Sequence, residues 1–392
     1  MIRLAVKEDT SQIKDLWNCC FDDTPEFTDF FFDNCYFPQN TLVSEENGII
    51  QSSLQMLPYK MHLRNREVPV SYIVGVGTWP EYRGQGLAKE LLQKAGYVLQ
   101  ERGFDISILL PFQYDFYRKY GWEICYDLLI YNDMESAPIT FPSLNQQEVI
   151  TKKEIFQSIE LERDWRKLSD CYNKYMTRYN GYLLRSSKKW KTIIRDMELD
   201  NGFAYIYENN KEPQGYILYT ISDKTLTIQE LVHTTAAAKH NLLQLALSHA
   251  SQADHIIRRA PFWDTDYLSM ADSRGKLEKQ TFVMGRIHNP IEAISGLSYI
   301  GKPFVIQVMD NFYQENNGSY EVNEQDGHAK LTKVKQKPDL IMDIQTLSQL
   351  LWGYISPENA YSDSRLFSYD EEVLEDIKRL FPVMCNYMTE IY

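Results

Sequence analysis

The apolar residues of this chain switch between two periods, and the switches mark its elements. Residues 2–6 alternate with a period of two and read as an edge strand. Asp9 or Thr10 can then cap a helix that carries Ile13, Leu16 and Trp17 on one face. Residues 42–44 and 49–57 read as a hairpin turning on Glu46-Asn47-Gly48, where Asn-Gly is a strong turn signal. Residues 68–79 supply a further strand. Residues 87–102 are helical, with Leu91, Leu92, Ala95 and Leu99 inward and Gly103 as the terminating glycine. An apolar strand at 106–110, a short helix from 115 to 120 and a strand at 126–131 that closes the sheet complete the unit. The predicted order is β-α-β-β-β-α-β-α-β.

A polar, proline-bearing stretch, Ala137-Pro138-Ile139-Thr140-Phe141-Pro142, separates this unit from the next. Helical patterns follow at 155–176 and 187–195, strands at 203–207, 214–220 and 226–232, and a helix at 237–251. The third unit opens at about residue 285. Residues 286–294 begin a helix after a strand, strands follow at 304–310, 318–323 and 331–335, and then come residues 339–343 and helices at 344–351 and near 371–380, which makes an α+β layer. The expected boundaries are 1–140, 141–284 and 285–392. The last residues, Met384 to Tyr392, are apolar and aromatic, which suggests a docked rather than a frayed end.

Composition sharpens this picture. A length of 392 residues suits two or three domains, and 44% hydrophobic with 13% aromatic residues supports packed cores. The formal charge of −13 disfavours a nucleic-acid partner and suits a cationic substrate. The six cysteines include no C-x-x-C, and reduced thiols fit a cytoplasmic protein. The seven histidines lack metal-ligand spacing, so no metal is expected. Neither a signal peptide nor a membrane span is expected, since no long apolar run occurs.

The chemistry concentrates in two places. Residues 74–92 read as buried strand, glycine-rich turn and amphipathic helix, with Arg83, Gly86 and Ala88 spaced R-x-x-G-x-A. Such a loop aims main-chain N–H groups at a pyrophosphate, and the helix start adds its own unpaired donors. Downstream lies Phe116-Tyr117-Arg118-Lys119-Tyr120-Gly121-Trp122. Together these motifs resemble the acetyl-CoA site of the GNAT family of N-acetyltransferases, whose domains also use the element order predicted for the first unit. The second unit then reads as a GNAT-like fold without the phosphate cradle, because its corresponding loop, residues 230–240, has no glycine. The third resembles a sterol-carrier-protein-2-like fold. Three such units in this order resemble the Eis family. The fold class that follows is α+β with mixed sheets: tandem GNAT folds, then a sterol-carrier-like domain into whose neighbour's active site the tail docks.

That resemblance implies acetyl transfer from acetyl-CoA to a primary amine (aminoglycoside, polyamine or lysine) by direct attack in a ternary complex. It also implies a hexamer assembled from trimers. Amine attack on a thioester needs a neutral amine, a stabilised oxyanion and a protonated leaving thiolate. By the same resemblance, Val74, Val76 and Thr78 pair through their backbone with the pantetheine arm, and the Val76 N–H is the oxyanion donor. Arg83, Gly84, Gln85, Gly86, Leu87 and Ala88 hold the pyrophosphate. Tyr117 matches the general acid, and the α-carboxylate of Tyr392 matches the general base. Glu123, Asp22 and Asp23 are alternative bases. Phe21, Asp22 and Asp23 are candidate substrate contacts, with Phe30 to Phe32 as a wall. The family often has an acidic residue just before the last; here Ile391 stands there and Glu390 one earlier. A non-catalytic acyl-CoA- or lipid-binding protein is the alternative function, and another acyl donor or acceptor a third.

Overall fold

The computed structural model describes residues 1–134, 156–270 and 272–391. The proline-bearing stretch 137–142 and the terminal Tyr392 lie outside the described residues. The first third runs β1 (Ile2–Leu4), α1 (Thr10–Cys20), α2 (Pro25–Asn34), β2 (Thr41–Glu46), β3 (Ile49–Leu63), β4 (Arg66–Thr78), α3 (Leu87–Glu101), β5 (Ile106–Leu109), α4 (Tyr114–Arg118), β6 (Glu123–Ile124) and β7 (Asp127–Tyr131). Local chemistry accounts for its joints. The β2–β3 turn places Asn47 and Gly48 at φ +53° and +81°, as a tight hairpin needs. Thr24 caps α2 by accepting from the Phe27 N–H at 3.2 Å, with Pro25 in the first turn. α3 buries Leu91, Leu92, Ala95 and Leu99.

The middle third runs β8 (Phe156–Ser158), α5 (Leu161–Met176), β9 (Tyr182–Leu183), α6 (Ser187–Leu199), β10 (Phe203–Asn209), β11 (Glu212–Ser222), β12 (Thr225–His233), α7 (Ala236–Leu247), β13 (His255–Pro261), β14 (Leu277–Thr281) and β15 (Met284–Ile287). The last third runs α8 (Pro290–Ile294), β16 (Phe304–Met309), β17 (Gly318–Gln325), β18 (His328–Val334), β19 (Leu340–Asp343), α9 (Ile344–Trp352), α10 (Pro357–Ser362), β20 (Leu366–Ser368) and α11 (Glu371–Leu380). The helix expected from residue 155 starts at Leu161 instead, because 156–158 pair as a strand with β10.

Three mixed sheets result, ordered β1-β2-β3-β4-β5-β15-β6, β14-β7-β13-β12-β11-β10-β8 and β18-β17-β16-β19-β20. One expectation is corrected here. Strand β7 does not close the first sheet; it lies between β13 and β14 in the second, with Tyr131 opposite both Arg258 and Leu277. In return β15 leaves the middle third and lies between β5 and β6, with Met284 opposite Leu109 and Ile124. The first two sheets thus exchange strands.

Arg286 of β15 locks this exchange. Its guanidinium donates to the Tyr120 carbonyl at 2.5 Å and to Asp310 Oδ2 at 2.7 Å, with both side chains of the Arg286–Asp310 pair fully buried. It lies over the rings of Trp122 and Tyr313. A Cβ on Gly121, at φ +89°, would sit 1.3 Å from the Arg286 guanidinium. The glycine of the second motif therefore makes room for a cation from a distant strand. The last third is tied in again by Arg64, which donates to the Leu350 and Leu351 carbonyls at the end of α9.

Candidate active site

The site begins with a bulge. β4 pairs with β3 through Gln55↔Val74 and Ser53↔Gly77, so β4 spends one residue more than β3 between these pairs. Gly75 takes a left-handed φ of +59° there, and a Cβ on it would lie 2.5 Å from the Trp17 ring. The extra residue switches the strand's faces. Val70, Tyr72 and Val74 join the core around α1 and α2, whereas Val76 packs with Ile73 on the α3 side. Pairing of β4 with β5 stops at Ile73↔Leu109, although β4 continues to Thr78. The two parallel strands part at this point, and residues 74–78 keep β3 as their sheet neighbour. The Thr78 carbonyl accepts from Arg83 Nε at 3.1 Å.

The glycine-rich turn follows directly. Gly84 and Gly86 sit at φ +78° and +86°, and a Cβ on either would meet nothing within 4 Å. Residues 83–86 are exposed, Gly86 is the N-cap of α3, and Leu87 and Ala88 are half-buried in its first turn. The loop is therefore an open concavity at the positive end of a 15-residue helix. The Arg83 side chain folds back towards Thr78 and Cys20, and its main-chain N–H donates to the Pro80 carbonyl at 3.3 Å.

Tyr117 lies on α4 in the same apolar cluster as Val76, Leu91 and Leu92. Edge-to-face contacts with Phe112, Phe116 and Trp122 fix its ring. Burial alone raises its pKa well above the usual phenol value, with no charged or hydrogen-bonding neighbour contributing. A neutral phenol with a proton to give is the state this environment selects. Tyr114 instead donates to the Thr281 carbonyl at 2.7 Å.

The acceptor-side candidates divide. Phe21 packs on Trp17 and reaches within 3.6 Å of the Gly77 Cβ position, beside the end of β4. Asp23 accepts from the Trp17 indole at 2.9 Å, which commits it to orienting that ring, while Asp22 is exposed. Glu123 is held by Arg118 Nε at 3.0 Å and 3.1 Å and is likewise committed. Tyr392 lies outside the described residues. The chain leading to it is deeply placed: Tyr387, Met388 and Glu390 are buried, and the Tyr72 hydroxyl of β4 donates to the Glu390 carbonyl at 3.2 Å.

Sequence reasoning missed the group that holds this tail. Arg185 donates to Glu390 Oε1 at 2.8 Å, to both Glu230 oxygens at 2.8 Å and to Thr389 at 2.5 Å. It also lies over the rings of Tyr172 and Trp190. Burial opposes the charge, but two buried carboxylates more than offset it; the Arg185 pKa stays raised and that of Glu230 lowered. A lone arginine after β9 carries no motif, and its two carboxylates are 45 and 205 residues away.

Residues 1–125 match an acetyltransferase (GNAT) domain family, residues 181–287 a second acetyltransferase (GNAT) domain family, and residues 291–389 a sterol carrier protein domain family. Solved structures of the whole chain's shape include a GCN5-related N-acetyltransferase from Anabaena variabilis, at 21% identity and TM-score 0.84, covering 100% of both chains. A conserved protein of unknown function from Enterococcus faecalis, a probable N-acyltransferase, aligns at 19% identity and TM-score 0.87 over 100% of this chain and 99% of its own. Eis1 from Mycobacterium abscessus aligns at 15% identity and TM-score 0.76 over 100% of this chain and 98% of its own. No curated protein sequence matches the chain. Among the described residues no helix is long and apolar enough to cross a membrane.

Proposed function

We propose, for a chain whose residues match two acetyltransferase (GNAT) domain families and then a sterol carrier protein domain family, transfer of an acetyl group from acetyl-CoA to a primary amine. The observation that carries this reading is the adjacency of three parts. They are the unzipped end of β4, the open glycine turn at the start of α3, and Tyr117 in the apolar cluster that takes in Val76 of β4 and Leu91 and Leu92 of α3. Main-chain donors of residues 84–88 take the pyrophosphate, the Arg83 N–H being engaged by the Pro80 carbonyl, and the edge of Val74 to Thr78 that β5 leaves unpaired takes the amide arm. The Val76 N–H stabilises the oxyanion that forms when the amine attacks the thioester carbon. As the C–S bond breaks, Tyr117 gives its proton to the leaving thiolate.

The amine's own proton goes to a carboxylate, and Tyr392 supplies it in this reading. Glu390 itself is buried against Tyr72 and Arg185. Holding both substrates together needs no covalent enzyme intermediate.

Steady-state kinetics on Tyr117→Phe test the proposal. The substitution is expected to lower kcat by about 10–100-fold, the usual worth of a general acid, with acetyl-CoA affinity within twofold of the parent. An unchanged kcat would remove Tyr117 from the chemistry. Deleting Ile391 and Tyr392 is expected to lower kcat similarly, and unchanged turnover would remove the terminal base.

A further inference from the structure

Two neighbouring cavities share part of their walls between α2, α6 and the end of β9. The inner one, about 90 Å³, is walled by Phe27, Phe30 and Phe31 of α2, by Asp196 of α6 and by the tail residues Thr389 to Ile391. Its open carboxylate is Asp196, since Glu230 and Glu390 are both engaged by Arg185. The outer cavity is far larger, about 710 Å³, and shares Cys35, Arg185, Lys189 and Thr192 with the inner one. Its walls are apolar, with Phe37, Leu57 and Pro58 among them.

The charge of the outer cavity runs against that of the molecule. The chain carries −13 overall, yet among the described residues no Asp or Glu lines this cavity, and Lys60, Lys188 and Lys189 do. Aromatic faces hold two of these cations in place: Lys188 lies 4.6 Å from the Phe37 ring centroid and Lys189 5.4 Å from that of Tyr59. Arg185 contributes little net charge, because Glu230 and Glu390 neutralise it. A pocket of this size and apolarity, with a few convergent polar groups, has the character of a small-molecule site.

We propose that the acetyl acceptor is an amphoteric amine, whose amino group enters the inner cavity towards Asp196 and whose apolar body ends in an anionic group set between Lys60 and Lys188. A polycation is disfavoured in the outer cavity by like charge. The inference rests on the acetyltransferase reading for its placement of the acceptor, but its charge argument stands on the cavity alone.

The test compares three probes of one shape by calorimetry on the full chain: 4-(aminomethyl)benzoate, benzylamine and p-xylylenediamine. The benzoate is expected to bind at least tenfold more tightly than either other amine. In the Lys60→Glu/Lys188→Glu variant the order is expected to invert, with the diamine tightest, while acetyl-CoA affinity stays within twofold as the sign of an intact fold. Equal or weaker binding of the benzoate in the parent protein overturns the proposal, as does a preference untouched by charge reversal. Failure to bind acetyl-CoA in the parent would instead sink the acetyltransferase reading, so the two failures are separable.

Discussion

Single residues in this protein carry loads that become visible only through their distant partners. Gly121 belongs to a motif that reads as local, yet the constraint on it is the Arg286 guanidinium occupying its Cβ position. Gly121→Ala is expected to displace the Arg286 guanidinium from the Tyr120 carbonyl and disturb its buried pairing with Asp310, at a cost of about 3–5 kcal/mol; urea denaturation is the check. Asp196 is a second case. Burial, with Asp200 and Asp23 adding to it, lifts its pKa from the usual 3.8 to about 6, and Lys189 only partly counters this. The folded state therefore holds the proton more tightly than the unfolded one. The resulting penalty is absent below pH 3.8, builds between pH 4 and 6, and is complete above 6. Asp196→Asn is thus expected to raise the melting temperature by a few degrees at pH 7.5 and to change it little at pH 4, read by calorimetry.

At the scale of elements, what was legible in the sequence was whatever a local pattern encodes. The Asn47-Gly48 turn, the inward face of α3, the Gly84 and Gly86 turn and the strand ahead of it all announce themselves within twenty residues. The buried tail was legible too, from its apolar run. The allegiance of β7 was not. Asp-Leu-Leu-Ile-Tyr reads as a buried strand in either sheet, and its neighbours β13 and β14 come more than 120 residues later. The Arg185 clamp and the cavity lysines were hidden for the same reason, since each depends on pairing across domains. Of the candidate substrate contacts, Phe21 reaches the end of β4, whereas Asp23 is taken by Trp17. The clamp makes its own prediction: Arg185→Met leaves Glu230 and Glu390 buried without a cation, costs about 3–5 kcal/mol, and exposes residues 386–391 to carboxypeptidase. A tail still protected after this change would contradict the role given to Arg185.

The whole molecule is built so that its sheets need one another. Without β15, strand β5 has an open edge and β6 has no strand partner; without β7, β13 and β14 lose the strand between them. A fragment of residues 1–140 is therefore expected to lack cooperative thermal unfolding by circular dichroism, despite carrying both sequence motifs. This coupling sets an open glycine turn before α3, a tail whose Glu390 carbonyl meets Tyr72 of β4, and a lysine-lined cavity in one fold. All of that geometry acquires meaning only if the turn before α3 takes a diphosphate. Titrating acetyl-CoA into the full chain and into a Gly84→Val/Gly86→Val variant tests this most directly. Binding by the parent, weakened at least tenfold in the variant, is the predicted result; no binding by the parent, or equal affinity in both, would contradict it.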